Sequence, residues 1–382
     1  MRNVTNISLW TIMVILTIGQ LRAAQLPAYR ELSGADVPEA TPGSVHRYSV
    51  TSKELNDDII VDVWTPEGYE GDVETRYPVI YVHDGQNLFD PKFSFANVAW
   101  ELDTKTQALI NQGIIMPPII VGINNRGAKN LRPNDYFPEK VLKYIPESER
   151  DKTKIFDTCK DGFFGDEAAA FVVSELKPLI DVLYRSDPSC SHTFAMGSSM
   201  GGLASLYLMC EYPLVFGGAA CMSTHWIGSL ELDSAYNISD DPVCAAAILA
   251  YMDAALPSPA THRLYLDQGT LGWDADYQKY EINARQIAVQ HGYTVAAGTL
   301  ETYDAAGAGH NEWYWQQRVD RPLKFLLDKR RVPTALGRVP MRADDDGVYV
   351  SLSGVVYKTD TGEGLPPGIY IHSGRKILIG YF

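Results

Sequence analysis

Ser199 lies in Gly197-Ser198-Ser199-Met200-Gly201, a Gly-x-Ser-x-Gly unit entered from the apolar run Thr193-Phe194-Ala195-Met196 and followed by small and apolar residues. A serine becomes a covalent nucleophile only when a base takes its proton. This unit has the mechanics to present one, because a strained strand-to-helix turn exposes Oγ while small flanking residues let strand and helix close together. Downstream come a carboxylate, Asp274, in Leu266-Asp267-Gln268-Gly269-Thr270-Leu271-Gly272-Trp273-Asp274, and then a histidine, His310, in Gly307-Ala308-Gly309-His310-Asn311-Glu312-Trp313. Together the three types carry nucleophilic acyl transfer: the imidazole takes the hydroxyl proton, and the carboxylate fixes the tautomer and offsets the developing charge. Asp267 and Asp276 stay open as alternatives for the acid, and each aspartate equally suits a turn cap.

Such chemistry also needs donors for a developing oxyanion. The backbone N–H of Met200, which follows the nucleophile, is one; Gln86, or its neighbour Gly85, supplies the other from the turn His83-Asp84-Gly85-Gln86-Asn87 after the run Val79-Ile80-Tyr81-Val82. Trp226, Trp273 and Trp313 fall on or just after segments that should border the site, beside Tyr314 and Trp315, and flat aromatic faces suit sugar rings or aryl acids. Trp313 and Trp315 equally suit packing of a last helix on the sheet. Arg126 suits either a substrate carboxylate or a surface salt bridge. His83 reads as a turn residue that hydrogen-bonds locally, and His225 precedes the acid and so breaks the expected order. His46, His192, His262, His291 and His372 show no paired metal-ligand spacing, so no metal is expected.

These residues need a scaffold that delivers them to one edge. Strand-like runs fall at 58–64, 79–83, 119–123, 193–196, 216–223, 263–266 and 293–300, alternating with helical stretches such as 166–183 and 201–211, the latter stopped by Pro213. The alternation and the order serine, acid, histidine predict an α/β-hydrolase fold: a mostly parallel sheet with helices on both faces.

The chain has 382 residues, 46% hydrophobic and 21% charged, enough for one large core and a small appendage. Its 47 acidic against 33 basic residues disfavour nucleic acid or anionic lipid as partners. A basic Arg2, an apolar stretch from Ile7 to Ile18 and Ala23-Ala24 read as a signal peptide over 1–24, with an uncleaved anchor as the alternative because Arg22 is atypical there. The expected location is therefore exported, in the periplasm, at the cell surface or outside the cell, with no membrane insertion once the signal is removed. Cys210 and Cys221 read as buried thiols; Cys159, Cys190 and Cys244 fall in expected loops, where one disulfide is compatible with export but no spacing pairs them. The hydrolase domain is expected over 25–333. A β-rich tail over 334–382 follows, with runs at 348–352, 355–357, 368–372 and 376–379. Its segment from Gly368 to Ile379 resembles the last hairpin of the C-terminal sorting tails of secreted Bacteroidetes-type proteins, which implies secretion machinery as a partner. The chain ends Gly380-Tyr381-Phe382 without the usual basic residues, and a plain structural hairpin is the alternative.

The stretch from Tyr81 to Phe89, Gly122-Ile123-Asn124-Asn125-Arg126-Gly127, Gly162-Phe163-Phe164-Gly165-Asp166-Glu167, the serine turn, and Cys221-Met222-Ser223-Thr224-His225-Trp226 together resemble the putative esterase family of α/β-hydrolases. That family is similar to esterase D, to the feruloyl and acetylxylan esterases of the first carbohydrate esterase class, and to enterochelin esterases; the resemblance spans roughly residues 45 to 330. It implies a Ser-Asp-His triad without a cofactor, with Ser199 at the nucleophile, His310 at the base and, through the pattern Gly-Thr-x-x-x-Asp, Asp274 at the acid. The oxyanion turn departs from the pattern, carrying one residue more than the His-Gly-x form of some relatives. The expected activity is hydrolysis of acetyl or hydroxycinnamoyl esters linked to carbohydrate. An acyltransferase on the same fold and a catalytically silent glycan-binding protein are the alternatives.

Overall fold

Successive residues of Val79-Ile80-Tyr81-Val82 enter two different cores in the computed structural model, as the period of a strand requires. Val79 and Tyr81 join Val61, Val121, Ala195 and Leu264 on one face. Ile80 and Val82 join Ile120, Phe194, Met196 and Tyr265 on the other. Strands buried on both sides must be continuously apolar, which is how 79–82, 119–123 and 193–196 read. The structure describes residues 26–329, 348–351, 356–358, 368–372 and 375–379; the signal peptide expected over 1–24 lies outside them.

The main sheet has nine strands: β1 (Ala28–Glu31), β2 (Ser44–Ser52), β3 (Asp57–Thr65), β4 (Val79–His83), β5 (Ile119–Ile123), β6 (Thr193–Ser198), β7 (Gly218–Met222), β8 (Arg263–Gly269) and β9 (Leu300–Ala305), in the order β1-β2-β3-β5-β4-β6-β7-β8-β9. From β5 to β9 every pairing is parallel, while β1, β2 and β3 extend one edge as an antiparallel ribbon. The helices Met200–Glu211 and Pro242–Ala255 cover the first face; Leu102–Asn111 and Asp320–Leu327 cover the second. This is the expected α/β-hydrolase architecture. Because the six strands β4 to β9 run the same way, the residues after His83, Ile123, Ser198, Met222, Gly269 and Ala305 emerge on one edge.

The sequence reading departs from the structure in particular places. The run 293–300 is a turn rather than a strand: Thr294 N–H donates to Thr299 Oγ1 and Ala297 N–H to Thr294 Oγ1, so two threonines close the backbone locally and β9 starts only at Leu300. The helix expected over 166–183 contains a π segment, Phe171–Leu176, just before Pro178, whose ring has no N–H for the helical ladder. All five cysteines are free and buried. Among the described residues, no helix is long and apolar enough to cross a membrane. The second unit, which begins at Val332, contains an antiparallel sheet of β10 (Val348–Ser351), β11 (Val356–Lys358), β12 (Gly368–His372) and β13 (Arg375–Ile379), ordered β11-β10-β12-β13.

One close approach sets the turn after β4 against its neighbour. A methyl group on Gly85 would run into the Gly122 carbonyl carbon and come within 2.6 Å of the Ile123 nitrogen, backbone atoms that cannot step aside. Gly85→Ala is therefore expected to lower the unfolding free energy by about 1–3 kcal/mol in urea titrations; an unchanged midpoint would contradict that packing.

Candidate active site

Ser199 is the residue between β6 and the helix Met200–Glu211, with φ 56° and ψ −125°. A non-glycine residue at positive φ costs on the order of 1–3 kcal/mol and persists only where its surroundings hold it. Here Ser199 N–H donates to the Met222 carbonyl at 2.9 Å, and the Ser199 carbonyl accepts from Gly202, Leu203 and His225 N–H. Gly197 makes the turn sterically feasible, since a methyl there would sit 2.5 Å from the Gly201 carbonyl. The Ser199 hydroxyl then meets His310: Nε2 lies 2.8 Å from Oγ. On the far side of the ring, Nδ1 lies 2.7 Å from Asp274 Oδ1.

The imidazole is held by three aromatic rings. Trp273, Tyr277 and Trp315 have centroids 5.3, 5.4 and 5.0 Å from it, the last two edge-on. Behind Tyr277 stands His225, whose Nδ1 is 2.6 Å from the Tyr277 hydroxyl and whose Nε2 is 2.9 Å from the Ser229 carbonyl. His225 is thus a buried support, and burial lowers its pKa to about 3.

Asp274 lies in the first turn of the helix Trp273–Gln290 and is buried. Its Oδ2 accepts from Ser223 Oγ and from Gly269 N–H, both at 2.7 Å. Burial by itself would raise this carboxyl, but the bonds and charge of His310 and the Ser223 hydroxyl bring it below the ordinary carboxylate range. The two alternatives are placed elsewhere. Asp267 is saturated by the Tyr265 hydroxyl and the Arg318 guanidinium, and Asp276 is exposed on the outer side of its helix.

Backbone N–H groups that could receive an oxyanion lie at Met200 and in the turn after β4. Met200 is the first residue of its helix, so its N–H has no intrahelical acceptor. The turn Gly85–Asn87 closes through Asn87 N–H to the Asp84 carbonyl and Leu88 N–H to Gly85, which leaves the amides of Gly85 and Gln86 outside its ladder. Asp84, itself at φ 59°, anchors the turn. Its carboxylate takes a two-pronged ion pair from Arg132 (2.8 and 2.7 Å) and a bond from Asn125 Nδ2 (2.6 Å), while its N–H donates to the Tyr136 hydroxyl. Gly201 approaches His83 and Asp84 closely enough that a methyl there would touch both, which sets this turn against the helix that starts after Ser199.

Several expected contacts are not made. Trp226 does not line the site: it is fully buried, its indole N–H donates to Glu281 Oε2 at 2.7 Å, and no face is left for a ligand. Trp273 has its ring beside His310 and its N–H on the Tyr236 carbonyl, whereas Trp313 is 52% exposed, against Tyr314. Arg126 is spent on Asp135 and Asp57. His83 makes no hydrogen bond to protein from either ring nitrogen and packs edge-on against Tyr136, in place of the local bond its position suggests. The sequence gives no sign of Ser223 and Arg318 as partners of the acid; they meet at the Ser223 hydroxyl with Trp315, whose position near the site was expected. A serine directly after a strand and an arginine in a late helix carry no spacing that ties them to an acid. Among the described residues, no three His, Cys, Asp or Glu side chains cluster as a metal site.

Burial lowers the His83 pKa to about 4, so the native state keeps this ring neutral where the unfolded chain protonates it below about pH 6.5. The unfolded state then binds more protons, and His83 costs stability as pH falls from 6.5 towards 4, about 3 kcal/mol across the range. Glu281, raised to about 7 by burial, titrates in the opposite sense, so the comparison needs a variant. Wild type is expected to lose stability relative to His83→Phe as urea titrations move from pH 7 to pH 4.5; a pH-independent difference would contradict the neutral, buried ring.

A profile of the putative esterase family matches residues 52–326. No curated protein matches the sequence. Among solved structures, a ferulic acid esterase shares 20% identity at a TM-score of 0.54, over 75% of this chain and 98% of that one. An IroE-like serine hydrolase from Shewanella oneidensis shares 17% at 0.50, over 74% and 78%. Enterochelin esterase from Shigella flexneri shares 17% at 0.49, and the chain spans only 60% of its length. At these identities the ferulic acid esterase and the IroE-like hydrolase speak for the fold alone, and the profile, covering most of the chain, for the family. The matched span runs from the end of β2 into the helix Asp320–Leu327, and over it the chain belongs to the putative esterase family: it is an esterase of α/β-hydrolase fold.

Proposed function

We propose that this esterase works through Ser199, His310 and Asp274 by way of an acyl-enzyme, and that its substrates are carbohydrate-linked acetyl or hydroxycinnamoyl esters. The observation that carries the reading is the single imidazole bonded to the Ser199 hydroxyl on one side and the Asp274 carboxylate on the other. Ser199 Oγ attacks the ester carbonyl as its proton passes to His310 Nε2. Asp274 accepts the Nδ1–H bond throughout, fixing the tautomer and offsetting the imidazolium charge. The N–H groups of Met200 and Gln86 receive the oxyanion; losing one such donor costs roughly 100- to 1000-fold in rate. Collapse expels the alcohol, which takes the proton from Nε2. Water then repeats the sequence on the acyl-enzyme, releasing the acid and restoring the serine.

The Trp273 ring beside His310 supports an aryl or sugar-bearing substrate, as does the likeness in fold to a ferulic acid esterase. We further propose that the chain is exported, with 1–24 as its signal peptide and the hairpin β12–β13 as a sorting element.

On a feruloyl or acetyl sugar ester, Ser199→Ala and His310→Ala are expected to remove nearly all turnover, and Asp274→Asn to lower kcat by about 10⁴-fold through the wrong tautomer. Asp276→Asn should leave kcat within a few-fold of wild type. Activity that survives Asp274→Asn and fails in Asp276→Asn would overturn the assignment of the acid. Acyl transfer to an added acceptor sugar in preference to water would replace hydrolase by acyltransferase, and glycan affinity without turnover would replace both by a binding protein.

A further inference from the structure

We propose that Ser223 is the positioning residue for the catalytic acid, its hydroxyl aiming the Asp274 carboxylate at His310 while Arg318 fixes the direction in which that hydroxyl donates. The inference rests on the triad reading above. Ser223 Oγ meets three groups: Asp274 Oδ2 at 2.7 Å, Arg318 Nη2 at 2.6 Å and Trp315 Nε1 at 3.1 Å. A guanidinium and an indole N–H only donate, so both lone pairs of the hydroxyl oxygen are taken. Its one proton has a single acceptor left, Asp274 Oδ2.

That constraint passes to the acid. A carboxylate turns easily about its last torsion, but here Oδ2 is occupied by Ser223 and by Gly269 N–H, which leaves Oδ1 for His310 Nδ1. Arg318 cannot swing onto Asp274 and compete with the imidazole, because Asp267 holds it through Nε at 3.1 Å and Nη2 at 3.0 Å. Asp267, an alternative for the acid from sequence, is thereby the counter-ion of the arginine that orients Ser223. The backbone agrees: Ser223 has φ 43°, a conformation costly for a serine, and its N–H is pinned to the Asp267 carbonyl at 2.7 Å.

The charged and titratable groups around the pair are Asp274, Glu312, His225 and Tyr277 about His310, and His310, Arg318 and Tyr277 about Asp274. Ser223→Ala leaves all of them in place and removes one neutral donor. The carboxylate, kept in reach by Gly269, then carries a less stabilised charge and holds an imidazolium more firmly. The acid limb of the kcat/KM profile should move to higher pH. With its second donor gone the acid is also less well aimed, so kcat is expected to fall about 10- to 100-fold with KM within about twofold. Ser223→Gly removes the same hydroxyl and relieves the positive φ, so equal behaviour in both variants assigns the effect to the hydroxyl. A limb that stays in place or moves to lower pH in both, with or without a loss of kcat, would overturn the inference alone. Turnover that survives Ser199→Ala would overturn the triad and this inference with it.

Discussion

One imidazole, gripped on both nitrogens, is the constraint around which this edge of the sheet is arranged. Ser199 and His310 stand 111 residues apart in the chain, and His310 and Asp274 stand 36 apart, yet the two bonds are 2.8 and 2.7 Å. Only a rigid frame can hold such tolerances. Parallel pairing from β6 through β7 and β8 to β9 fixes the relative height of the strand ends, so that the serine follows β6, Ser223 follows β7, the acid follows β8 and the histidine follows β9. The one edge that collects them is the one at which ligands bind in open α/β sheets.

Their buried charge is what makes the arrangement demanding. Uncompensated carboxylates below the surface cost several kcal/mol each, and a half-satisfied network is worse than an apolar one. Each acid here is met by named donors: Asp84 by Arg132 and Asn125, Asp267 by Arg318 and Tyr265, Asp274 by His310, Ser223 and Gly269. The strain at Ser199 and Ser223 is held by backbone bonds into neighbouring strands, Ser199 N–H to the Met222 carbonyl and Ser223 N–H to the Asp267 carbonyl.

Much of this is legible in the residues. The elbow needs small residues on either side of the serine, and the buried parallel strands need unbroken apolar runs, so both are written in local composition. The antiparallel ribbon β1–β2 is harder to read because its residues mix polar and apolar, as in Ser44–Ser52. The run 293–300 misleads for the opposite reason: its β-branched residues suit a strand, but side-chain bonds between Thr294 and Thr299 close it into a turn. Trp226 follows a strand end as the site residues do, and only the packing shows that it turns inward to Glu281. Ser223, Trp315 and Arg318 come together through the end of β7 and the helix Glu312–Arg318, a meeting fixed by tertiary structure and by no pattern within either segment.

The central claim concerns one oxygen atom. The direct measurement is intact-protein and peptide mass spectrometry after treatment with a fluorophosphonate, or after rapid acid quench with a slowly turned-over ester. The account predicts a single adduct, mapped to the peptide containing Ser199 and absent from both Ser199→Ala and His310→Ala. An adduct on another residue, or full turnover with no adduct at Ser199, would contradict it.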